Sequence, residues 1–76
     1  MTRAFIAIDV ATGTAGEVCH RLRDADGVVE AHVITGDFDV LVELTGDDQR
    51  DLLETMTTVV RPLEDIGAMR TYVCLD

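Results

Sequence analysis

Alternation of apolar and polar residues along the chain predicts four β-strands. In the first, AFIAIDV, the residues Ile6, Ile8 and Val10 share one face of an extended chain, and the positions between them share the other. Three further runs are rich in β-branched and other apolar residues, which favour strands. The predicted strands are residues 4–10 (AFIAIDV), 28–35 (VVEAHVIT), 39–45 (DVLVELT) and 69–76 (MRTYVCLD).

Between these strands, apolar residues recur at the spacing of three and four that is typical of helices, near residues 14–25 and 46–60. Thr14 and Glu17 have the spacing of a capping box at the start of the first helix, and Gly27 suits the turn that follows it. The predicted buried faces are Ala15, Val18, Cys19 and Leu22 in the first helix, and Leu52, Leu53, Met56, Val59 and Val60 in the second.

The order of the predicted elements is βαββαβ. The two halves resemble each other, because FIAIDVATGTAGEV and VLVELTGDDQRDLL both run from a strand through a Thr-Gly loop into a helix. Two βαβ units with right-handed crossovers give the ferredoxin-like α+β sandwich. We therefore expect one domain over residues 1–76, with a four-stranded antiparallel sheet and two helices on one face.

The face of the sheet away from the helices is also predicted to be apolar. A solvated face would alternate cleanly between apolar and polar residues, whereas the outward positions here include Phe5, Ala7 and Leu41. An uncovered apolar face indicates contact with another protein, and the simplest partner is a second copy of the chain. The sequence therefore predicts a homo-oligomer.

Composition and charge restrict the partners and the compartment. Fifteen acidic residues face six basic ones, which gives a net charge of −9, and the chain has no lysine. Such a surface repels phosphate backbones, so direct binding of nucleic acid is not expected. No apolar run approaches the roughly 18 residues of a membrane span, and two cysteines without paired spacing fit free thiols in a reducing compartment. We therefore expect a cytoplasmic protein without membrane contact. Its Asp-rich, lysine-free composition is typical of halophilic proteins.

The residue types that usually carry catalysis or hold metals form no pattern here. The chain has no serine, and it lacks the HExxH, CxxC and P-loop motifs. We expect His20 on an exposed helix surface and His32 in a packed strand or an interface. No catalytic residue, metal ligand or cofactor is therefore predicted, and an enzyme ranks last among the functional alternatives.

The segment TGDFD, residues 35–39, has two interpretations. As a hairpin turn, it explains Gly36 and Asp37, which supply the special backbone angles of turns, but not Phe38 or Asp39. As a ligand site, the glycine turn would donate N–H groups to a carboxylate, and an Asp side chain would accept from an ammonium group. These two functions together suit an α-amino acid.

The segment GVVEAHVITGDFDVLVEL resembles the Gly-Asp-aromatic-Asp hairpin region of the effector-binding domain, or RAM domain, of the Lrp/AsnC family of transcription regulators. RTYVCLD resembles the last strand of that domain, and the similarity extends over essentially the whole chain in the same βαββαβ order. Two departures are a shorter turn at EDIGAMRT and Cys74 in place of a second aliphatic residue. The resemblance implies a domain that dimerises through its sheet, assembles further, commonly as a ring of four dimers, and binds amino-acid effectors between dimers.

The resemblance also implies roles for individual residues. Asp39 stands at the position of the effector-sensing acid, and the matching site positions are Val33, Thr35, Gly36, Asp37, Phe38, Asp39, Tyr72, Val73 and Cys74. Family regulators carry an N-terminal helix-turn-helix, whereas this sequence starts at the first strand of the effector domain. We therefore expect a stand-alone amino-acid-sensing and oligomerisation module without DNA contacts of its own. The alternative is a structural partner that co-assembles with full-length Lrp/AsnC regulators and binds no ligand itself.

Overall fold

A computed structural model describes residues 1–76 and confirms the ferredoxin-like βαββαβ fold. The sheet is antiparallel throughout, with the strand order β2-β3-β1-β4 and with both helices on one face. No helix has the length and apolar character needed to cross a bilayer. The elements are β1 (Thr2–Val10), α1 (Ala15–Arg23), β2 (Val28–Val33), β3 (Val40–Gly46), α2 (Gln49–Thr55), a π-helical segment (Met56–Val60) and β4 (Ile66–Val73).

The core lies between the helices and the two central strands. Register places Ile6 opposite Val42 and Ile8 opposite Val40, so alternate residues of both strands point toward the helices. The helices complete this layer with side chains that are nearly inaccessible to solvent: Val18, Cys19, Leu22, Leu52 and Val60. The predicted periodicities of two in the strands and about 3.6 in the helices therefore identify this core.

Helix α1 follows the predicted limits, but its capping differs from the prediction. The Thr14 hydroxyl donates to the carbonyl oxygen of Ala11 at 2.7 Å and makes no capping hydrogen bond to the helix. Its backbone is already helical (φ −105°, ψ −3°), whereas a capping box requires extended angles at this position. The predicted capping box is therefore wrong. Gly27 ends the turn after α1 with φ +90°, and a Cβ there would lie 2.9 Å from the Thr55 hydroxyl.

The second helix was predicted as one continuous element, but the structure divides it in two. The α-helix begins at Gln49, with Asp48 as its N-cap, and changes at Met56 into a π-helical segment. Here the hydroxyls of Thr57 and Thr58 donate to backbone carbonyls four residues earlier, at 2.9 and 2.8 Å. Such bonds compete with regular helical pairing, and consecutive β-branched residues favour helices weakly, which accounts for the change in geometry.

Leu53 was predicted to be part of the buried face of this helix, and that prediction is wrong. Its side chain is 61% exposed, whereas that of Leu52 is only 2% exposed. The two residues are adjacent on a helix and therefore point about 100° apart. Only one of them reaches the sheet.

The limits of the last strand also differ from the prediction. Strand β4 begins three residues early, at Ile66, and ends at Val73, so Cys74 lies just beyond it. The Cys74 amide still donates to the carbonyl oxygen of Arg3 at 2.8 Å, which continues the contact with β1. Both cysteines are free. Burial raises the pKa of the Cys19 thiol, and the Arg23 charge opposes that rise.

The face of the sheet opposite the helices has an apolar centre and a charged margin. Phe5 lies between Glu43 of β3 and Tyr72 of β4, and Ala7 lies between Leu41 and Arg70. We call the apolar set Phe5, Ala7, Leu41 and Tyr72 the open-face patch. Charged groups surround it, including an ion pair between Arg3 and Glu43 at 3.6 Å, and the His32 ring lies 3.7 Å from the Glu30 carboxylate.

Candidate functional site

The TGDFD segment forms the connection between β2 and β3. Gly36 has φ +140°, which L side chains rarely adopt, and a Cβ at this position would meet nothing within 4 Å. The backbone conformation, and not the available space, therefore requires glycine here. Thr35, Gly36 and Asp37 are exposed, while Phe38 and Asp39 are partly buried.

Asp39 connects this hairpin to the end of β1 through hydrogen bonds of both its backbone and its side chain. Its N–H donates to the carbonyl oxygen of Ile8 at 3.0 Å, and its own carbonyl oxygen accepts from the N–H of Ile34 at 2.8 Å. Its carboxylate Oδ2 accepts from the N–H of Val10 at 3.0 Å. A carboxylate that accepts a backbone N–H forms a charge-assisted bond, so Asp39 stabilises the base of the hairpin.

The tip of the hairpin presents unpaired backbone donors. The N–H groups of residues 35–38 have no hydrogen-bond acceptor within the protein. Exposed N–H groups bond to water in the absence of a ligand, and they are free to bond to an incoming anion. The hairpin therefore combines a carboxylate at its base with a short row of donors at its tip.

Asp9 belongs to the same corner of the sheet, although the sequence analysis did not assign it to the site. The β1–β3 register ends at the pair Ile8 and Val40, and its next step places Asp9 opposite Asp39. A hydrogen bond between the two carboxyl groups raises the pKa of Asp9, with smaller contributions from desolvation and from the Asp39 charge. No cationic side chain pairs with either carboxylate. Only the register between β1 and β3 could have revealed Asp9 from the sequence.

A cleft of about 390 Å³ opens beside this carboxyl pair. It is lined by residues 9–11 of β1 and the following loop and by residues 65–67 at the start of β4. A Cβ on Gly67 would lie 4.0 Å from Oδ2 of Asp9, so glycine leaves this wall of the cleft open. The free space at this end of the sheet therefore lies next to Asp9 and not at the outer side of β2.

The structure brings together only some of the predicted site residues. Residues 35–39 and Val33 lie at the end of the sheet where β1 finishes, whereas Tyr72 and Val73 pair with Phe5 and Ala4 near the start of β1. These two groups lie four residues apart along β1, which corresponds to about 13 Å. In addition, β2 and β4 are the two opposite edge strands of the sheet. The TGDFD hairpin and the 72–74 segment therefore form two separate corners of one chain.

The other clefts contain little that supports chemistry. The largest, of about 540 Å³, lies between the α1–β2 turn and α2, and its charged lining residues are Asp26, Asp51 and Glu54. A third, of about 290 Å³, separates α2 and the π-helical segment from β4 and includes Val73. No group of three or more His, Cys, Asp or Glu side chains is arranged to hold a metal ion.

Comparison with known proteins identifies the family. A family model described as the Lrp/AsnC ligand binding domain matches residues 3–76. The chain belongs to this family. The resemblance inferred from GVVEAHVITGDFDVLVEL and RTYVCLD is thereby confirmed. The family consists of ligand-binding domains of transcription regulators and is not an enzyme family.

Solved structures agree with this assignment. The Lrp/AsnC domain described here is similar to the hypothetical protein PHS023 from Pyrococcus horikoshii, with 31% identity over 99% of this chain and 90% of that one and a TM-score of 0.93. FFRP-DM1 is also 31% identical, over 99% of this chain and 100% of that one, with a TM-score of 0.91. AsnC from E. coli shares the fold at 18% identity, covering 99% of this chain and 51% of its own, with a TM-score of 0.89. A search of curated protein sequences gives no significant match.

Proposed function

We propose that this Lrp/AsnC domain binds an α-amino acid at the TGDFD hairpin and that assembly of several copies completes the pocket. The observation that carries this proposal is the placement of the free N–H groups of residues 35–38 beside the carboxylates of Asp39 and Asp9. An α-amino acid has a carboxylate that needs donors and an ammonium group that needs acceptors. The hairpin offers both within one short segment.

The charges of the site support a ligand that carries an ammonium group. Asp9 and Asp39 are neighbours in the continued β1–β3 register, neither has a cationic side chain paired with it, and two such carboxylates favour a bound cation. The exposed N–H groups at the tip would at the same time donate to a carboxylate, a group that a simple metal cation does not have. A zwitterion therefore satisfies this arrangement better than an anion or a cation alone.

A solved neighbour gives a chemical precedent. The transcriptional regulator NMB0573 from Neisseria meningitidis was crystallised as a complex with L-Met, and it shares this fold with a TM-score of 0.83 at 17% identity. That identity supports the fold alone, so methionine is one candidate among the amino acids. The side chain of the effector would be chosen by residues around the cleft next to Asp9.

Assembly enters the proposal because one chain supplies only separate corners of the site. The open-face patch offers a surface for a second copy, with Arg3 and Arg70 and the acids Glu30 and Glu43 at its charged margin. A two-fold contact would pair each patch with itself, and opposite charges on the margin could then face each other. Further contacts between such dimers would bring a 72–74 segment of one copy to the hairpin of another.

The proposal is tested with a thermal-shift screen of the twenty standard amino acids, in dilute buffer and in molar KCl. A ligand present at 100 times its Kd stabilises the folded state by about 2.7 kcal/mol. A hit is followed by calorimetry and by light scattering with and without that amino acid. The proposal would be contradicted if none of the twenty amino acids raised the melting temperature under either salt condition.

A second candidate function rests on the bond between Asp39 and Val10. Because Oδ2 of Asp39 already accepts the Val10 N–H, the carboxylate could serve the hairpin alone. The domain would then be a structural partner that co-assembles with full-length Lrp/AsnC regulators without a ligand. Co-purification with such a regulator, together with a screen that gives no stabilising amino acid, would favour this alternative.

A further inference from the structure

The two edge strands of the sheet differ in how well they are protected against pairing with another chain. β2 is six residues long, its register with β3 is interrupted, and it carries Glu30 and His32. β4 is eight residues long, contains no proline, lysine or acidic residue, and pairs regularly with β1 from Met69 to Val73. Shortness, irregular register and charge keep an edge strand from associating. β4 has one charged side chain, that of Arg70, and is therefore the less protected edge.

The outer side of β4 presents main-chain donors that no acceptor in the chain uses. The Cys74 N–H donates to the Arg3 carbonyl oxygen at 2.8 Å, so it points toward β1. In an antiparallel pair, the N–H groups of successive residues point to alternate sides of the strand. No turn, loop or side-chain hydrogen bond includes the groups that point away from β1, which are the N–H groups of Met69, Thr71 and Val73.

We propose that β4 pairs with the β4 strand of a second copy, antiparallel and about a two-fold axis that passes next to Thr71. In this register the two Thr71 residues lie opposite each other, and Met69 of each copy lies opposite Val73 of the other. All three outward N–H groups then find carbonyl acceptors, because alternate pairs of an antiparallel ladder exchange two hydrogen bonds. The contact joins two four-stranded sheets into one sheet of eight strands.

The side chains of β4 complement one another in this register. On the helical face the exposed Thr71 side chains meet, and Met69 packs on Val73, which is 39% exposed in the single chain. On the open face Arg70 lies opposite Tyr72 of the other copy, and Tyr72 is 58% exposed in the single chain. Threonine pairs and apolar pairs across strands stabilise a sheet, and a guanidinium group is attracted to an aromatic ring. The contact therefore covers apolar side chains that one chain leaves in solvent.

Charge favours this edge over the other strands for contact between copies. The chain carries a net charge of −9, so two copies repel each other wherever their acids meet. Each of the other three strands contains an acid, namely Asp9, Glu30 and Glu43. Residues 66–75 contain none, and Asp65 and Asp76 lie outside the paired residues, where salt screens them. A second β4 strand can therefore approach this edge without an opposing acid at any paired position.

The edge contact adds to contact through the open-face patch and does not replace it. Pairing over residues 69–73 buries much less than the roughly 1,200–2,000 Å² of a stable interface. Lone chains therefore associate weakly through β4. A dimer formed at the open-face patch carries two such edges, and two linked contacts hold more firmly than one.

Amide hydrogen exchange measured by NMR tests the pairing in the intact chain, in molar KCl and without an amino acid. We expect the Met69, Thr71 and Val73 amides to become protected as the protein concentration rises. Once most edges are paired, the unpaired fraction falls as the square root of the concentration, which gives about threefold more protection for each tenfold rise. Val33 is the internal reference, because the Ile34 N–H donates to Asp39 and the preceding N–H therefore points outward from β2. Its protection should not change.

Thr71→Pro removes the central donor of the proposed pair. An edge strand tolerates proline where the N–H group faces solvent, so the variant should fold. Because the two-fold axis doubles the loss, two hydrogen bonds disappear, and association through β4 should weaken by about five- to a hundredfold. The protection of Met69 and Val73 should then no longer depend on concentration.

Two lysine variants decide the question if the proline variant does not fold. Thr71→Lys places like charges opposite each other across the pair, whereas Thr12→Lys adds the same charge in the exposed loop between β1 and α1. We expect association through β4 to be about two- to fivefold weaker in Thr71→Lys than in Thr12→Lys. General charge repulsion predicts instead that both lysines strengthen association equally, since both reduce the negative charge.

Edge amides that stay unprotected at every concentration would overturn the proposal, and so would equal protection in the two lysine variants. If these amides became protected only after an extended basic peptide was added, the edge would belong to a different partner, and the second copy would be excluded. Because no sample contains an amino acid, the edge contact can fail while the proposed ligand function stands, and the reverse also holds.

Discussion

The carboxylate of Asp39 accepts the backbone N–H of Val10 across 3.0 Å and 29 positions of the sequence. This bond joins Asp39, for which we propose a contact with the effector, to the end of the first strand. Asp39 therefore has a structural task whether or not a ligand binds. A substitution at this position must separate the two tasks.

Asp39→Asn makes that separation. An Asn side-chain oxygen still accepts the Val10 N–H, so the melting temperature should remain close to that of the wild type. An ammonium group would lose a charge-assisted contact of roughly 1.5–3 kcal/mol, which weakens binding by about ten- to a hundredfold. Calorimetry with the amino acid found in the screen measures this loss.

Asp76→Asn is the matched control, because it removes an equal charge at the C-terminus. Its affinity should equal that of the wild type within error. If Asp39→Asn also binds with wild-type affinity, the carboxylate serves only the hairpin, and the structural alternative is favoured.

Two adjacent leucines test the packing of α2. Leu52 is buried and Leu53 is 61% exposed, so Leu52→Ala should cost roughly 2–5 kcal/mol of unfolding free energy and Leu53→Ala within about 0.5 kcal/mol. Urea unfolding of both variants gives the two values. Equal costs would mean that the helix is rotated relative to the sheet.

The sequence predicts the fold correctly because periodicity reports directly on burial. Alternation at Ile6 and Ile8, and helical spacing at Val18 and Leu22, identify residues that are 0–4% exposed. Periodicity does not predict the exposure of Leu53, because a run of apolar residues does not show which of two adjacent leucines faces the sheet. Periodicity does not predict the π-helical segment either, because that segment depends on hydrogen bonds from the Thr57 and Thr58 hydroxyls to backbone carbonyls.

Less of the candidate site than of the fold can be predicted from the sequence. The glycine and the two aspartates of TGDFD can be recognised in the sequence as a candidate site. Asp9 lies 30 positions before Asp39 in the chain, and only the strand register brings the two residues to neighbouring positions. The separation of the hairpin from Tyr72 likewise requires the strand order, which no local motif contains.

Leu41→Arg tests the role of the open-face patch in self-association. The arginine would place a charge at the centre of the patch, next to Ala7, and burying an unpaired charge in a dimer contact is costly. Light scattering in molar salt should show a fall from the wild-type mass toward the 8.3 kDa monomer.

Leu53→Arg is the control for this experiment, since Leu53 is an exposed leucine on the helical side of the sheet. Its mass should match that of the wild type if the sheet provides the contact. A wild type that is already monomeric in molar salt would contradict the predicted oligomer.

Salt should stabilise this protein. With a net charge of −9 on 76 residues and only two arginine–carboxylate ion pairs within 4.0 Å, self-repulsion is largely uncompensated. Molar KCl shortens the Debye length to about 3 Å and screens that repulsion. We expect a higher melting temperature, or a larger assembly, in molar KCl than in dilute buffer. The same melting curve and mass in both solutions would argue against a halophilic origin.

The TGDFD hairpin and the 72–74 segment lie at separate corners of the sheet, and this separation affects how the proposed ligand binding would depend on the concentration of the protein. If a complete pocket requires the hairpin of one copy and the 72–74 segment of another, a lone chain has no working pocket. The number of pockets would then grow more steeply than the number of chains, because each pocket forms by an encounter between copies. A cell that synthesises little of this protein would be insensitive to the amino acid, and a modest rise in expression would switch sensitivity on.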